Sequence, residues 1–577
     1  MLSKIEFENL RKISESKTFE LDTDVVSDLI SKGLIEKDFA ITELGEKELS
    51  LHQVDNAIIL AAGMSTRFVP ISYELPKGLI SVKGEVLIER IIRQLQEAGV
   101  NEVVVVVGYM MEKFLYLRDK YNVKLVVNNE YSSKNTHSSI YVARDYLKNT
   151  YICCSDNYYP ENPFHKYEYK AYYCSIFLPG ISYVERAFTF DSDGLIIDTN
   201  KPSHDQWIMY GHAYYDNDFS TKFKPILKSY YGRTGVENMY WENVYAENLD
   251  KLPMYIKQVN DGEILEFDSM EELKAYDPEF IKHNKIKVFE NICNTLNCEI
   301  SDIGDIEIIK KGLNNRSFKF SCKGENYVYR HPGINASGII DRKKEATALN
   351  IAKKLGVDST LIYVNEEEGW KISSLVDITE EFDFSNDDHV KLLANSLKTL
   401  HSSNIQLDFT FDYYEESNKL IEYIRRIDST TYNTLSALRN KVMPIVEYLK
   451  DNKWQQSICH NDIYEPNLLI SRDGLELIDW EFAGNSDIGY DICKLFTMHN
   501  PQLKDVDKWL IYYYGRETTM EEKLHLFACA SMIYYYWFVW SVYESKRAGQ
   551  ASNYVMGWFD RMNHYVDIVL EYLKDGE

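Results

Sequence analysis

The chain has 577 residues, 45% of them hydrophobic and 27% charged, with a formal net charge of −25. That length exceeds what one hydrophobic core organises and predicts three or four domains or lobes. A surface this acidic argues against nucleic acid as a partner, because phosphate backbones are bound by Lys/Arg surfaces, yet nucleotide binding needs only a local basic site. The 44 tyrosines predict pockets with an aromatic wall and a polar tip, and the nine cysteines are scattered with no C-x-x-C spacing. That cysteine usage fits a reducing cytosol, and the N-terminus lacks a basic segment followed by an apolar run, so a cytoplasmic protein without a leader is expected.

Residues 1–52 read as a small unit. Apolar residues recur at helical spacing from Ile5 to Ile13, and Asp22-Thr23-Asp24 caps a second helix that stops at Gly33. The following FAITELGEKEL is a strand running into a helix start, so the unit has a winged-helix-like pattern. Its candidate reading helix carries Asp24 and Asp28, which disfavours DNA and leaves docking or regulation as its expected role.

A second unit, residues 53–277, opens on the buried strand AIILAA. Ala61 and Ala62 lead into a tight loop with Gly63, Ser65, Thr66 and Arg67, whose small residues let backbone N–H groups approach a triphosphate. Lys77, after Pro76, can reach the same phosphates. VNEVVVVVGY, MEKFLYLRDKY and KLVVNN then alternate strand, helix, strand, the rhythm of a doubly wound sheet that binds ligands at its strand C-termini.

LAAGMSTR, Pro76-Lys77, the VGY after the second strand and Tyr240-Trp241-Glu242-Asn243 together resemble the nucleotidyltransferases of the sugar-phosphate type, and within them the bacterial CTP:phosphocholine cytidylyltransferases. Ser65 stands where that family has its second glycine. The resemblance covers residues 56 to about 275 and implies a Rossmann-like fold, CTP as substrate and pyrophosphate as product. It implies that Asp156, ending the strand YICC, and Asp268, in EILEFDSMEEL, hold Mg2+. It also implies catalytic roles for Arg67 and Lys77, base and ribose contacts from Asn135 and Thr136, and a substrate site at Tyr240, Trp241 and Glu242. The family walls its ammonium with aromatics, one a tryptophan in an E-W-F strand; the corresponding stretch here, Val184 to Phe188, has Arg186 instead. That departure points to a primary amine unless Tyr240, Trp241 or Tyr214-Tyr215 compensate.

The third unit, residues 278–577, reads as a bilobal kinase, N-lobe about 285–375 and C-lobe about 376–577. Two strands end in Arg330, and Glu345 lies on the next helix; they fit the phosphate-touching cation and the acid that holds it. The loop Gly312 to Ser317, with Asn315, would cover the phosphates. His460-x-Asp462, Asn467 five residues on and Asp479 after an apolar hairpin supply the set that phosphoryl transfer needs. Asp462 orients and deprotonates a hydroxyl, while Asn467 and Asp479 hold Mg2+ against ATP. The uncharged run Leu526 to Tyr543 is long enough for a membrane span, but its tyrosines, serines and tryptophans fit a buried C-lobe helix.

The loop resembles that of the aminoglycoside phosphotransferase and choline kinase superfamily. Trp537 and Trp540, three apart on one helical face, resemble the W-x-x-W helix that walls the choline pocket, with Tyr554 on the next helix and Glu481 and Asp487 as acidic partners for the ammonium. The two halves make consecutive steps: ATP phosphorylates choline, and the phosphocholine is coupled to CTP. The partners are small molecules, namely an amino alcohol, its phosphate, ATP and CTP, and a homo-oligomer is compatible with this reading. Ethanolamine or an aminoalkylphosphonate is the alternative substrate, and a winged-helix regulator with a nucleotide sensor is a second alternative.

Overall fold

The structure is a computed structural model that describes residues 2–16, 21–180, 187–199, 206–309, 315–333, 341–548 and 554–575. The chain divides into two compact units, Met1–Asn291 and Ile292–Glu577. The sequence reading puts the start of the kinase at 278. In the structure residues 277–288 are tied backward: Asp277 accepts from the Lys83 N–H, Asn284 from Ser81, and Glu74 from Lys287 and Val288.

The first unit is built on a nine-stranded sheet. Four parallel strands stand in the order Lys124–Val127, Val103–Val107, Asn56–Ala61, Thr150–Cys154. The chain leaves Asn56–Ala61 in one direction and returns on its other side at Thr150–Cys154. That reversal opens a crevice at the strand C-termini, where open α/β sheets bind ligands. Asn56–Ala61 and Val103–Val107 are wholly buried, as runs of apolar residues between two covered faces must be. The antiparallel strand Gln206–Tyr215 extends the sheet, followed by Tyr172–Leu178. The helices Leu87–Glu97, Thr136–Val142, Asn217–Tyr231 and Trp241–Ala246 cover it, and one apolar core lies on each face.

The N-terminal residues pack on this unit. They form the helices Lys4–Ser14, Thr23–Ser31 and Glu43–Ser50, with the single antiparallel bridge Ile35–Ile41 in place of a two-stranded wing, so a winged-helix fold is not established. Asp22 caps the second helix as the sequence predicts. Arg11 lies 3.6 Å from the buried Glu168 carboxylate, Tyr169 donates to the Leu2 carbonyl, and Phe7, His52 and Tyr169 pack ring against ring.

The second unit has the two lobes of a kinase. Its smaller lobe is an antiparallel sheet ordered Ile303–Ile309, Asn315–Cys322, Glu325–Pro332, Lys371–Ser374, Leu361–Val364, with the helix Arg342–Leu355. Its larger lobe packs the helices Asp387–His401, Tyr413–Ile427, Ser429–Asp451, Met520–Ala548 and Val555–Asp575 around the hairpin Leu468–Ser471/Gly474–Leu477. Met520–Ala548 contains a stretch apolar enough to cross a membrane, but 78% of that stretch is buried within the protein. A helix apolar on every side is what the centre of a large helical lobe requires.

Candidate functional site

In the first unit, Ala61 ends the central strand and Ala62 follows it, both buried, and the chain then turns out into the loop Gly63–Arg67. Ser65 adopts φ 49°, ψ 49°, a left-handed conformation that glycine takes without strain. Thr66 and Arg67 follow in a 3-10 turn, with Arg67 73% exposed at its side chain. Lys77 is pulled inward: its Nζ lies 2.7 Å from Asp156 Oδ2 and 4.8 Å from the centre of the Phe68 ring. Gly78 makes this approach possible, because a Cβ there would stand 2.7 Å from Ser155 Cβ.

Asp268 reaches the same place through strand pairing. Glu266 is opposite Asn157 and Leu265 opposite Tyr158, so the antiparallel ladder carries Asp156 and Asp268 to one end. Asp268 Oδ1 is 2.9 Å from Arg67 Nη1. Two part-exposed carboxylates and two cations thus converge beyond the strand C-termini. An all-oxygen pair is the donor set a hard divalent cation such as Mg2+ takes, leaving its other positions to water and phosphate.

Asn135 caps the helix Thr136–Val142 and donates to the Asn238 carbonyl at 3.3 Å, while Thr136 Oγ1 accepts from the Trp241 N–H at 3.1 Å. Asn135 and Thr136 are thereby bound to the segment that carries Tyr240, Trp241 and Glu242. The side chains of that segment diverge. Tyr240 is 38% exposed, Glu242 is buried beneath the Tyr173 hydroxyl that donates to it at 3.0 Å, and Trp241 is core. The Trp241 ring stacks on Tyr173 and meets Tyr215 edge-on; Tyr214 and Tyr215 are buried as well. Trp241, Tyr214 and Tyr215 therefore offer no open aromatic wall, which corrects their reading as compensating residues. Arg186 lies outside the described residues.

In the second unit, Arg330 and Glu345 form a buried ion pair, with Arg342 at 3.0 Å on the other side of the carboxylate and Asp479 3.5 Å from Arg330. Lys371 stands opposite Arg330 in the sheet; burial and the Arg330 charge lower its pKa. Gly312, Leu313 and Asn314 lie outside the described residues; Asn315 opens the strand Asn315–Cys322.

The catalytic loop is folded by its own side chains. His460 Nε2–H donates to the Ile478 carbonyl at 2.9 Å, and its Nδ1 accepts from the Asp462 N–H at 3.1 Å. Burial lowers the His460 pKa, in keeping with this neutral tautomer. Asn467 Nδ2 donates to Asp462 at the backbone carbonyl (2.9 Å) and at Oδ2 (3.2 Å). Asn461 and Asp479 both take left-handed φ, 64° and 72°, conformations that asparagine and aspartate tolerate better than most residues. Burial and then the Asp479 charge push the Asp462 carboxyl up to about 8, and the same two causes raise Glu481. Buried carboxyls that stand beside another carboxylate, with an amide next to them, suit a bound divalent cation.

Trp537 and Trp540 meet edge-on at 5.5 Å; Trp537 also packs against Phe482, the neighbour of Glu481, and stacks on Trp558. Tyr554 is 65% exposed. Asp487 is engaged elsewhere, 2.9 Å from His525, which stacks on Trp454; this corrects its reading as a partner for an ammonium.

Sequence reasoning missed Asp491. This fully buried carboxylate accepts from the His460 N–H at 2.8 Å, the Asn461 N–H at 2.9 Å and His401 Nε2 at 3.2 Å. Burial raises its pKa, but the bond from His401 and the nearby imidazoles outweigh that and hold it low. The available signal was a second acid four residues beyond Asp487, inside an otherwise small and apolar stretch.

Comparison with known proteins agrees with this division. Residues 57–157 match the MobA-like NTP transferase domain, and residues 306–505 match the choline/ethanolamine kinases. The chain is 31% identical over 218 residues to choline-phosphate cytidylyltransferase of Streptococcus pneumoniae, covering 38% of this chain and 95% of that one. It is 36% identical over 230 residues to 2-aminoethylphosphonate cytidylyltransferase of Lancefieldella rimae, covering 39% and 93%. The structure of choline kinase LicA from Streptococcus pneumoniae aligns at 22% identity with a TM-score of 0.42, covering 50% of this chain and 100% of that one. The chain thus belongs to the cytidylyltransferases with a MobA-like NTP transferase domain, and it carries a choline/ethanolamine kinase domain on the same polypeptide.

Proposed function

We propose that the second unit phosphorylates choline with ATP and that the first couples the resulting phosphocholine to CTP, giving CDP-choline and pyrophosphate. The observation that carries the reading is the joining of the two families in one chain. A kinase of this kind makes a P–O–C phosphomonoester from an alcohol. A phosphonate has a P–C bond and is not made from an alcohol by phosphoryl transfer, so a kinase beside a phosphonate transferase would have no step to supply. The rings of Trp537, Trp540 and Trp558 also fit an ammonium face, since cations are held over aromatic rings.

In the kinase, Asp462 accepts the hydrogen bond of the substrate hydroxyl and takes its proton as the phosphorus–oxygen bond forms. Arg330, fixed by Glu345, meets the ATP phosphates. Asn467 and Asp479 would hold Mg2+, which neutralises charge on the phosphates when bound. In the transferase, a phosphate oxygen of phosphocholine attacks the α-phosphorus of CTP and pyrophosphate leaves. Lys77 and Arg67 are paired with Asp156 and Asp268 at rest. Phosphate in place of those partners would bring both cations to the developing charge, and Asp156 and Asp268 would then be the residues that hold Mg2+, which would neutralise charge on the phosphates when bound.

The second reading, an aminoalkylphosphonate as acceptor, is favoured by the 36% identity to the 2-aminoethylphosphonate enzyme. Pyrophosphate release from CTP with phosphocholine, phosphoethanolamine or 2-aminoethylphosphonate, each without ATP, decides between them. The highest kcat/KM with phosphocholine supports the first reading, and the highest with the phosphonate replaces it.

A further inference from the structure

Resting on the kinase reading, we infer that Lys494 and Arg561 form an anion-binding corner of the acceptor site that receives the phosphoryl group as it reaches the alcohol oxygen. Gly489–Ile492 and Lys494–Thr497 are one helical stretch, since the Cys493 N–H donates to the Gly489 carbonyl and the Thr497 N–H to that of Cys493. Asp491, Lys494 and Met498 follow the helical repeat and share one face of it. Asp491 opens that face by accepting from the catalytic loop at His460 and Asn461. Lys494 comes one turn later, and Arg561 closes the row, its Nη1 3.5 Å from Met498 Sδ.

Both cations lean on the ring of Tyr534. Lys494 Nζ is 5.7 Å from its centre and Arg561 Cζ 5.8 Å, and Arg561 also donates to the Tyr534 hydroxyl at 3.3 Å. Tyr534 stacks on Trp558, which stacks on Trp537, so the cations border the aromatic wall described above. Neither cation is matched. Lys494 is 8% exposed, and its ammonium makes no hydrogen bond or ion pair among the described residues; Arg561 meets a hydroxyl, a thioether and a ring, and no carboxylate. A ring contact near 6 Å is at the limit of a cation–π interaction, and two like charges on one ring repel. A buried ammonium without an anion is costly, so a site that keeps one is built for an anion that arrives.

The anion on hand is the phosphoryl group. Asp462 takes the hydroxyl proton, the acceptor oxygen bonds the γ-phosphorus, and the bond from that phosphorus to the bridging oxygen of the departing ADP breaks. The new phosphomonoester carries about two negative charges beside the catalytic loop. Burial and the Asp479 charge raise the Asp462 carboxyl there, and Lys494 is the cation that draws it down. A carboxylate on the acceptor itself would present the same oxygens to the same corner.

The test is ADP formation by the full chain without CTP, with choline or the hydroxy acid glycerate as acceptor, and product inhibition by phosphocholine. Wild type is compared with Lys494→Met, Lys494→Arg and Arg561→Met. The expected result for both methionine variants is a rise of about tenfold in the inhibition constant of phosphocholine. Lys494→Met should also lower kcat with choline about tenfold, with Lys494→Arg close to wild type, and an unchanged KM for ATP shows that the lobe is folded. Wild-type activity greater with glycerate than with choline, and lost in the methionine variants, assigns the anion to the acceptor; the corner then stands and the choline reading falls. Variants that phosphorylate choline and respond to phosphocholine within about threefold of wild type overturn the corner and leave the choline reading intact. A wild type that phosphorylates neither acceptor removes both.

Discussion

Asp491 carries a prediction that separates the two halves of the chain. Its carboxylate accepts from two successive backbone N–H groups of the catalytic loop, at His460 and Asn461, and from His401. Asparagine is nearly isosteric but has one acceptor oxygen, and its amide would turn N–H against N–H. Each hydrogen bond to a buried charge is worth about 1.5–3 kcal/mol, so Asp491→Asn forfeits about 3 kcal/mol of loop positioning. At about 1.4 kcal/mol per decade of rate, this predicts a fall of about a hundredfold in kinase kcat. KM for ATP should move little, because Arg330 and Glu345 lie on another element. The assay is ADP formation with choline, and CTP-dependent pyrophosphate release from phosphocholine by the same preparation reports on folding. Kinase turnover within about threefold of wild type, with the transferase unaffected, would refute the idea that Asp491 sets the loop.

Asp156→Asn should abolish pyrophosphate release while ADP formation from ATP and choline continues, measured on one sample. Arg330→Met should raise KM for ATP at least tenfold and lower stability by about 3 kcal/mol, because buried Glu345 loses its main partner and keeps only the weaker charges of Lys371 and Arg342; adding Glu345→Gln should restore part of the stability and none of the ATP affinity. Glu168 supplies a pH dependence. Burial raises its pKa, but Lys257, Arg11 and His165 more than reverse this and bring it from 4.5 to about 2. A carboxyl depressed by folding stabilises the native state above its unfolded pKa, and that contribution, about 3 kcal/mol, is lost as pH falls from 4.5 towards 2. Near-UV circular dichroism through that range should show a flatter acid transition in Glu168→Gln than in wild type.

Much of the fold was legible because it is written in local patterns. AIILAA and VVVVV are continuous apolar runs that only a sheet covered on both faces accommodates, and their alternation with helices gives the winding. The acid–amide–acid spacing of Asp462, Asn467 and Asp479 is likewise local. What could not be read was side-chain direction across elements. Trp241 and Trp207 are both tryptophans, yet the fold puts one against Tyr173 in the core and leaves the other, paired with a strand on either side, only partly buried. Asp487 and Asp491 sit four apart, but contacts with His525 in one case and the loop N–H groups in the other depend on helices distant in sequence. The ties of residues 277–288 to the first unit were invisible for the same reason: Asp277, Asn284 and Glu74 bind backbone groups that no local pattern pairs with them.

The central claim is that one chain makes and consumes the phosphorylated amino alcohol. Its most direct test is pyrophosphate release from CTP with ATP and choline as the other substrates, for wild type and Asp462→Ala. The account predicts ATP-dependent release by the wild type, none by Asp462→Ala, and full recovery of the variant on adding phosphocholine. Release that needs neither ATP nor Asp462, or silence from the variant when phosphocholine is supplied, would contradict it.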